Sequence, residues 1–252
     1  MGTRETKLMK LIQLNTWSCK LSTEIVRLFD QEQPDITCLQ EVVRSEFGGK
    51  ILETIDEITD AHPFSDYYYT PLVEFAFMHH RASRGNMITS NLPLTNKTEL
   101  WTHGQYTEDF DYVDSGGYNA ARNIAHATIT DQPVPIHVLT LHGYHLPNHK
   151  NGNEETLRAC KQLLEYAKQL EGAVIIAGDF NLAPQSESIK LIESAFRNLS
   201  VENNLQTTRN YLTAKTEVCD YIFVNDKVAV NNFYASDIIA SDHSALVLDF
   251  SV

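Results

Sequence analysis

A buried strand that ends in an acid and an amide constrains this sequence more than any other feature. Residues Ala173–Ala177 form an uninterrupted apolar run between two glycines, a pattern typical of a strand that is buried on both faces. Asp179 and Asn181 follow at once, and their spacing places both on one side of an extended chain. Such a pair can orient water, hold a metal or bind phosphate. It can also form an ordinary Asx-type turn before Pro184, and the segment alone leaves both interpretations open.

The composition favours one large α/β domain. The chain has 252 residues, of which 42% are hydrophobic, and this is enough apolar material for a sizeable core. No low-complexity linker, internal repeat or long run of charge divides the sequence. We therefore expect residues 1–252 to form a single domain, and we expect a monomer.

Membrane and export signals are not recognisable in the sequence. No apolar stretch approaches the roughly 18 residues that a membrane span needs, and no apolar signal core precedes Leu8. We therefore expect a cytoplasmic protein without stable membrane association. The four cysteines lie far apart and form no C-x-x-C pair, so we expect them to be reduced and buried.

The formal net charge of −13 argues against one class of function. Tight non-specific binding to nucleic acid depends on a surplus of lysine and arginine side chains that neutralise phosphates. A nuclease is still compatible with this charge, because turnover tolerates weak binding and a bound cation offsets local negative charge.

Hydrophobic patterns predict a few helices among many short strands. The predicted helices cover Ser22–Gln33, Lys50–Thr59, Asn153–Leu170 and Ser186–Phe196. The predicted strands cover Lys7–Asn15, Ile36–Leu39, Phe64–Leu72, Gly85–Ser90, Arg122–Thr130, Pro135–Leu141, Ala173–Ala177, Tyr221–Val224, Val228–Ala235 and Ala245–Phe250. Several strands are joined by tight turns, which favours a mixed-sheet α/β sandwich over strict alternation of strand and helix.

Polar side chains recur at the ends of these strands. They are Asn15, Gln40, Glu41, His142, Asp179, Asn181, Asp220, Asp242 and His243. If the strands share one sandwich, their ends can converge on one rim. Acids, amides and histidines in this combination are typical of a phosphoesterase that depends on a divalent cation, because Mg²⁺ and Mn²⁺ prefer oxygen ligands and histidines handle protons.

Seven short motifs at these positions follow one another along nearly the whole chain. They are Leu14–Trp17, Leu39–Val42, Gly85–Ser90, Thr140–Gly143, Gly178–Asn181, Cys219–Val224 and Ser241–His243. Each motif alone is weak, but the ordered set resembles the endonuclease/exonuclease/phosphatase superfamily, and in particular its compact bacterial members. The resemblance implies a deoxyribonuclease I-like fold, in which helices flank two mixed, mostly antiparallel sheets in a four-layer α/β/β/α sandwich.

The resemblance also implies a metal site. In this superfamily the glutamate of the L-Q-E motif is a principal metal ligand, and this role falls on Glu41. The asparagine of the first strand and the acid of the S-D-H motif belong to the same metal and phosphate site, and here they are Asn15 and Asp242. The implied cofactor is Mg²⁺, for which Mn²⁺ can substitute. The motifs are compatible with one metal or with two.

Five catalytic residues follow from the same resemblance. Asp179 and Asn181 would position or deprotonate the nucleophile and hold the phosphate. His142 would contact a phosphate oxygen and can act as an acid. His243 would contact the scissile phosphate and activate water, while Asp220 orients its ring. The motifs do not decide whether Asp179 or His243 is the base.

Two further residues are candidates for substrate binding. Asn86 follows a glycine at the start of a strand, where a turn is as compatible with the sequence as a site. Arg122 lies at the start of another strand and can contact phosphate or form an ordinary ion pair.

Together these features predict a divalent-metal-dependent phosphoesterase that hydrolyses a phosphodiester or a phosphomonoester by in-line attack of water. The substrate would be nucleic acid or a small phosphorylated molecule, so a nuclease is one form of this prediction. Two alternatives remain. A non-catalytic binding protein could use the same fold, and a zinc-dependent hydrolase could use the spacing of His142, His145 and His149.

Overall fold

The computed structural model describes residues 7–45, 53–77, 80–111, 120–146 and 148–252, which contain twelve strands and five helices. The strands are β1 Met9–Asn15, β2 Ile36–Ser45, β3 Asp66–Phe77, β4 His80–Ser90, β5 Thr95–His103, β6 Arg122–Ile129, β7 Ile136–His142, β8 Ala173–Asp179, β9 Arg197–Asn198, β10 Asp220–Val224, β11 Ala229–Ala235 and β12 Leu246–Ser251. The helices are α1 Ser22–Glu32, α2 Ile55–Ala61, α3 Glu154–Ala167, α4 Glu187–Glu193 and α5 Leu199–Glu202.

The strands form two six-stranded sheets of similar design. The strand order is β11-β12-β1-β2-β4-β3 in the first sheet and β5-β6-β7-β8-β10-β9 in the second sheet. Each sheet has one parallel pair, β1 with β2 or β7 with β8, and its other neighbouring strands are antiparallel. The prediction of two mixed, mostly antiparallel sheets is therefore confirmed.

Apolar side chains divide the interior into three layers of core, because strand residues alternate between the two faces of each sheet. Leu11 of β1 and Val138 of β7 belong to the core between the sheets. On the outer face of the first sheet, Phe29 of α1 and Ile58 of α2 are buried. Leu163 of α3 is buried in the same way on the second sheet. Helices thus cover both outer faces, as the four-layer sandwich requires.

Two helices begin at the capping residues that their sequences suggest. The side chain of Asn153 accepts a hydrogen bond from the backbone of Thr156 at the start of α3, and Ser186 caps α4 through the backbone of Ile189. The helix predicted over Lys50–Thr59 corresponds to α2, which begins at Ile55. Residues 50–52 lie outside the described part of the chain.

The strand β5 was not predicted, and its surroundings explain why. It lies at the edge of the second sheet, and its first five residues, from Thr95 to Glu99, are polar and exposed. A polar edge strand discourages pairing with other chains, but it carries no hydrophobic period that sequence analysis could detect.

Two smaller predictions concern membrane helices and cysteines. None of the described helices is long and apolar enough to cross a membrane. The four cysteines, Cys19, Cys38, Cys160 and Cys219, are buried free thiols. The prediction of reduced, buried cysteines is therefore confirmed.

Candidate active site

Three strands of the second sheet present acids and a histidine at one edge. His142 ends β7 and is paired with Asp179, the last residue of β8. Asp220 begins β10 and is paired with Asp179 from the other side. The register of three neighbouring strands therefore places these side chains next to one another.

Close backbone packing at this edge requires a glycine after His142. A Cβ atom on Gly143 would overlap the carbonyl oxygen of Phe180. The backbone N–H of Gly143 also donates to the carbonyl oxygen of Asp179 at 2.7 Å. Glycine at this position therefore keeps β7 and β8 close at the point where His142 and Asp179 emerge.

We expect Gly143→Ala to lower the free energy of unfolding by about 1–3 kcal/mol, because the new methyl group must displace the carbonyl of Phe180. The same displacement would move His142 away from Asp179. Urea denaturation of the two proteins measures the change in stability. An unchanged midpoint would contradict the close approach of the two backbones.

The first sheet brings a glutamate to the same place through a β-bulge. The register of β2 against β4 shifts between Leu39 and Val42, and Glu41 adopts a φ of +55° within this shift. Its carboxylate accepts hydrogen bonds from Nδ2 of Asn15 and from the hydroxyl of Ser18, both at 3.3 Å. A left-handed backbone is costly for glutamate, and residues held in this way cluster at functional sites.

Glu41 is ionised at neutral pH. Nη1 of Arg84 lies 3.4 Å from its carboxylate. Burial raises the pKa of Glu41, but the charges of Arg84, His142 and His243 and the hydrogen bond from Asn15 outweigh burial and lower it to about 2. The glutamate therefore supplies a permanent negative charge to this part of the molecule.

Asn15 connects the two sheets. Its Nδ2 donates to Glu41 and, at 3.1 Å, to Oδ2 of Asp179. Its Oδ1 accepts from the backbone N–H of Trp17 at 3.0 Å. Because a backbone N–H can only donate, this contact fixes the orientation of the amide. Asn15 therefore holds the carboxylates of Glu41 and Asp179 toward each other across the gap between the sheets.

Two histidines lie beside Asp179. Nε2 of His142 and Nε2 of His243 are 3.8 Å and 3.7 Å from Oδ2 of Asp179. Burial raises the pKa of Asp179, but His243 and His142 outweigh burial and hold it below its usual range. Burial and Arg122 lower the pKa of His142 to about 3. At neutral pH, Asp179 is therefore an ionised acceptor and His142 is neutral.

Asp220 holds the ring of His243. Nδ1 of His243 lies 2.9 Å and 3.0 Å from the two carboxylate oxygens of Asp220. The carboxylate also accepts from the hydroxyl of Thr208 at 2.6 Å and from Nε2 of Gln13 at 3.2 Å. Burial lowers the pKa of His243, but Asp220 and Asp179 outweigh burial and raise it. This pairing keeps the ring proton on Nδ1 and leaves Nε2 facing Asp179.

Asn181 combines the two roles that the sequence allowed for it. It has a φ of +56°, and its backbone N–H donates to Oδ1 of Asp179 at 2.8 Å, which is an Asx-type turn. Its Oδ1 accepts from Nζ of Lys150 at 2.7 Å, and its Nδ2 donates to the carbonyl oxygen of Gly143 at 3.3 Å. The turn sets the backbone, and the side chain still lines the cavity described next.

The side chains from both sheets surround a cavity of about 320 Å³. Seven of the ten predicted site residues line it: Glu41, Arg122, His142, Asp179, Asn181, Asp242 and His243. Asn15 and Asp220 contact these lining residues directly, through Glu41 and His243. Nine of the ten predicted residues thus form one connected group.

Asn86 is the tenth predicted residue, and it lies outside this connected group. Its side chain is fully buried, and its Nδ2 donates to Oδ1 of Asn123 at 3.0 Å. Arg122, the other candidate for substrate binding, does line the cavity. Its Nε also donates to the carbonyl oxygen of Gly143 at 3.0 Å, so it supports the backbone after β7.

Three cationic residues of the cavity were not singled out from the sequence: Lys20, Arg209 and Lys215. Arg209 is buried, contacts Nε2 of His243 through its Nη1 and lies 3.5 Å from Oδ2 of Asp242. It belongs to a polar segment before β10 that has no apolar period, so no local pattern marks it.

The cavity offers oxygen donors that suit a hard divalent cation. The carboxylates of Glu41 and Asp242 both line it, and such oxygens are preferred by Mg²⁺ and Mn²⁺. Within the described residues, one group of three side chains has ligand atoms within 4.8 Å of one another, and it consists of Asp179, Asp220 and His243. The carboxylate of Asp220 already accepts hydrogen bonds from His243, Thr208 and Gln13. Its contacts therefore suit the role of orienting His243 better than the role of a metal ligand.

The three histidines of the zinc alternative do not come together. His142 and His145 line the cavity, but His149 is exposed and its Nδ1 accepts from the backbone of Asn151. Within the described ranges, the group of metal-binding side chains contains a single histidine, His243. The structure therefore gives this alternative no support.

Comparison with known proteins covers nearly the whole chain. The model of the Endonuclease/Exonuclease/phosphatase family matches residues 12–243. No curated protein sequence matches the chain.

Solved structures share the fold at low sequence identity. An endonuclease/exonuclease/phosphatase from Beutenbergia cavernae has a TM-score of 0.73 at 15% identity, over 98% of this chain and 72% of that one. A humanised D. rerio TDP2 has a TM-score of 0.67 at 14% identity, over 97% and 99%. A mannosyl-6-phosphatase from Bacteroides thetaiotaomicron has a TM-score of 0.64 at 16% identity, over 97% and 100%. Because the family match spans most of its length, this chain belongs to the endonuclease/exonuclease/phosphatase family.

Proposed function

We propose that the protein is a divalent-metal-dependent phosphoesterase, which hydrolyses a phosphodiester or phosphomonoester by in-line attack of water. The observation that carries this proposal is the meeting of Glu41 from one sheet with Asp179 and His142 from the other around a single cavity. In-line attack builds negative charge on the phosphate, so it needs a cation and hydrogen-bond donors at one place. Family membership supports the same chemistry.

Glu41 and Asp242 would hold the metal, which we propose to be Mg²⁺ with Mn²⁺ as a substitute. When bound, the metal would offset the negative charge of the phosphate oxygens. Asn15 would act by positioning Glu41 through its Nδ2, because its Oδ1 is engaged by the backbone of Trp17.

Asp179 would orient the attacking water, since its ionised carboxylate is fixed by Asn15 and the backbone of Asn181. Either Asp179 or His243 would take the proton from that water. His142 and the side chain of Asn181 would contact the phosphate oxygens. Asp220 would stabilise the charged form of His243, which its contact with Nδ1 favours.

We expect chelation with EDTA to lower the hydrolysis of bis-p-nitrophenyl phosphate by about 100-fold or more, because the carboxylates then repel the phosphate. Added Mg²⁺ or Mn²⁺ should restore the rate. The release of p-nitrophenolate measures this effect, and a panel of p-nitrophenyl phosphate, plasmid and single-stranded oligonucleotide extends it to other phosphoesters.

His243→Ala, purified in the same way, is the reference for activity from contaminating enzymes. If the folded protein hydrolyses no member of the panel with any metal, the phosphoesterase proposal is wrong. This result would favour the alternative of a non-catalytic binding protein. Recovery with Zn²⁺ but not with Mg²⁺ or Mn²⁺ would instead favour a zinc-dependent hydrolase.

A further inference from the structure

Cationic side chains crowd the cavity, although the chain as a whole carries a net charge of −13. Five lysine and arginine side chains line the cavity beside three carboxylates. Two of them, Arg209 and Lys215, precede β10 and lie near Lys150, which bonds to Asn181. We refer to Lys150, Arg209 and Lys215 as the cation cluster.

Arg209 has unused hydrogen-bonding capacity in this cluster. Its side chain lines the cavity, although the residue is only 6% exposed. Its Nη1 faces His243 and Asp242, whereas its Nε has no hydrogen-bond partner among the described residues. A buried N–H group without a partner costs free energy. The guanidinium already lies beside the carboxylate of Asp242, and an oxyanion in the cavity would give it a second negatively charged partner.

The two lysines extend this positive charge toward Asn181. Nζ of Lys150 donates to Oδ1 of Asn181 at 2.7 Å, and Lys215 is an exposed residue of the cavity lining. Burial lowers the pKa of Lys150, and repulsion from Lys215 and Arg209 lowers it further, while Asp179 opposes this change. Like charges that are held together in this way create a site of positive potential for an anion.

We propose that the cation cluster binds the additional negative charge of a phosphate monoester, so that the substrate is a small phosphorylated molecule. This inference rests on the proposed phosphoesterase function, because the cluster adjoins Asn181 and His243, which would contact the scissile phosphate. A phosphate monoester carries close to two negative charges above its second pKa of roughly 6. An internal phosphodiester of nucleic acid carries one charge per phosphate, and it would leave part of the cluster unbalanced.

The size and charge of the surroundings favour a small substrate as well. A volume of about 320 Å³ lies at the lower end of small-molecule sites, which span roughly 300–1,000 Å³. The acidic remainder of the chain would repel a long polyanion, whereas the local cations would attract a small dianion into the cavity.

The test compares two esters that release the same p-nitrophenolate: p-nitrophenyl phosphate, a monoester, and bis-p-nitrophenyl phosphate, a diester. With Mg²⁺ at about pH 8, where the monoester is a dianion, the wild type should have a kcat/KM at least about tenfold higher for the monoester. Lys215→Ala should raise the KM for the monoester about five- to tenfold with little change in kcat. Its kcat/KM for the diester should stay within about twofold.

Two matched variants and one binding measurement sharpen this comparison. Lys215→Arg keeps the charge and should recover most of the monoester affinity that Lys215→Ala loses. Lys227→Ala removes an exposed lysine that does not line the cavity, and it should keep the activity of the wild type on both esters. Titration calorimetry with inorganic phosphate measures binding without turnover. Lys215→Ala and Arg209→Gln should each weaken phosphate binding by about tenfold, with folding checked by circular dichroism.

Several results would overturn the inference and leave the phosphoesterase proposal intact. They are a preference of the wild type for the diester, equal losses on both esters in Lys215→Ala, and faster release of phosphate from a 5′-phosphorylated oligonucleotide than from the small monoester. If the wild type hydrolyses neither ester, the proposed function fails. The titration with inorganic phosphate then tests on its own whether the cation cluster binds phosphate. Equal phosphate affinity in the wild type, Lys215→Ala and Arg209→Gln would then contradict phosphate binding by the cation cluster.

Discussion

Asp179→Asn is expected to lower the kcat of phosphoester hydrolysis by about 1,000-fold or more, with little change in the fold. The carboxylate accepts hydrogen bonds from Asn15 and from the backbone of Asn181 and lies within 3.8 Å of a nitrogen of His142 and of His243. An amide keeps the shape of this side chain. It carries no charge to balance a histidine, and it cannot take a proton from water. Initial rates at saturating Mg²⁺ measure the loss.

Asp66→Asn is the matched control for this substitution. Asp66 also accepts a hydrogen bond from a backbone N–H, that of Leu94 at 2.8 Å, and it does not line the cavity. Its activity should stay within about twofold of the wild type. The pH profile of the wild type then assigns the proton acceptor, because the pKa of Asp179 lies below its usual range and the pKa of His243 is raised. An acidic limb near neutral pH indicates His243, and a rate that stays constant down to about pH 5 indicates Asp179. Full kcat in Asp179→Asn would contradict the proposed role.

Seven of the fourteen residues that line the cavity could be named as site residues from the sequence, because they lie at or near the ends of apolar runs. The end of such a run is a local signal, and His142 and Asp179 stand at the ends of β7 and β8. The sequence around each strand does not show that β7, β8 and β10 lie side by side in one sheet. The family resemblance supplied that step, because the ordered motifs implied a known arrangement of strands. The catalytic roles of these residues stay predictions.

Residues that depend on distant contacts could not be predicted. Gln13 donates to Asp220, which is 207 positions away, and Arg209 contacts His243 over a separation of 34 residues. The left-handed backbone of Glu41 depends on how β2 pairs with β4, and no residue near it in the sequence signals a bulge. Such features arise from tertiary packing, which a local pattern does not encode.

Asn86 was singled out from the sequence as a site residue but lies in the interior. It is a polar residue beside a motif glycine, and the structure buries it in a hydrogen bond to Asn123 of β6. Gln40 is another polar strand residue of this kind, since its Nε2 donates to the hydroxyl of Thr140 across the sheets at 2.8 Å. Buried polar groups need such partners. A polar residue within a strand can therefore serve the interior as well as a site, and its position in the sequence does not separate the two.

Glu41→Gln is expected to raise the Mg²⁺ concentration for half-maximal activity by about 100-fold or more. The β-bulge, Asn15 and Ser18 hold the glutamate in place, so glutamine should keep the position of the side chain. It removes the charge that a divalent cation needs, and it also removes the carboxylate that lies 3.4 Å from Nη1 of Arg84. Titration calorimetry with Mn²⁺ measures the loss of affinity without turnover.

Asp56→Asn is the matched control, because it likewise removes the carboxylate partner of an arginine, Arg44, at 2.8 Å. This control should keep the Mn²⁺ affinity and the kcat of the wild type. If Glu41→Gln loses metal binding and Asp56→Asn does not, the loss reflects the position of Glu41 and not the general cost of removing a carboxylate beside an arginine. Since Arg84 would still attract phosphate, the KM of Glu41→Gln should rise far less than its kcat falls. Unchanged Mn²⁺ affinity in Glu41→Gln would contradict the metal role and would leave the carboxylate of Glu41 with a structural role, as the partner of Asn15, Ser18 and Arg84.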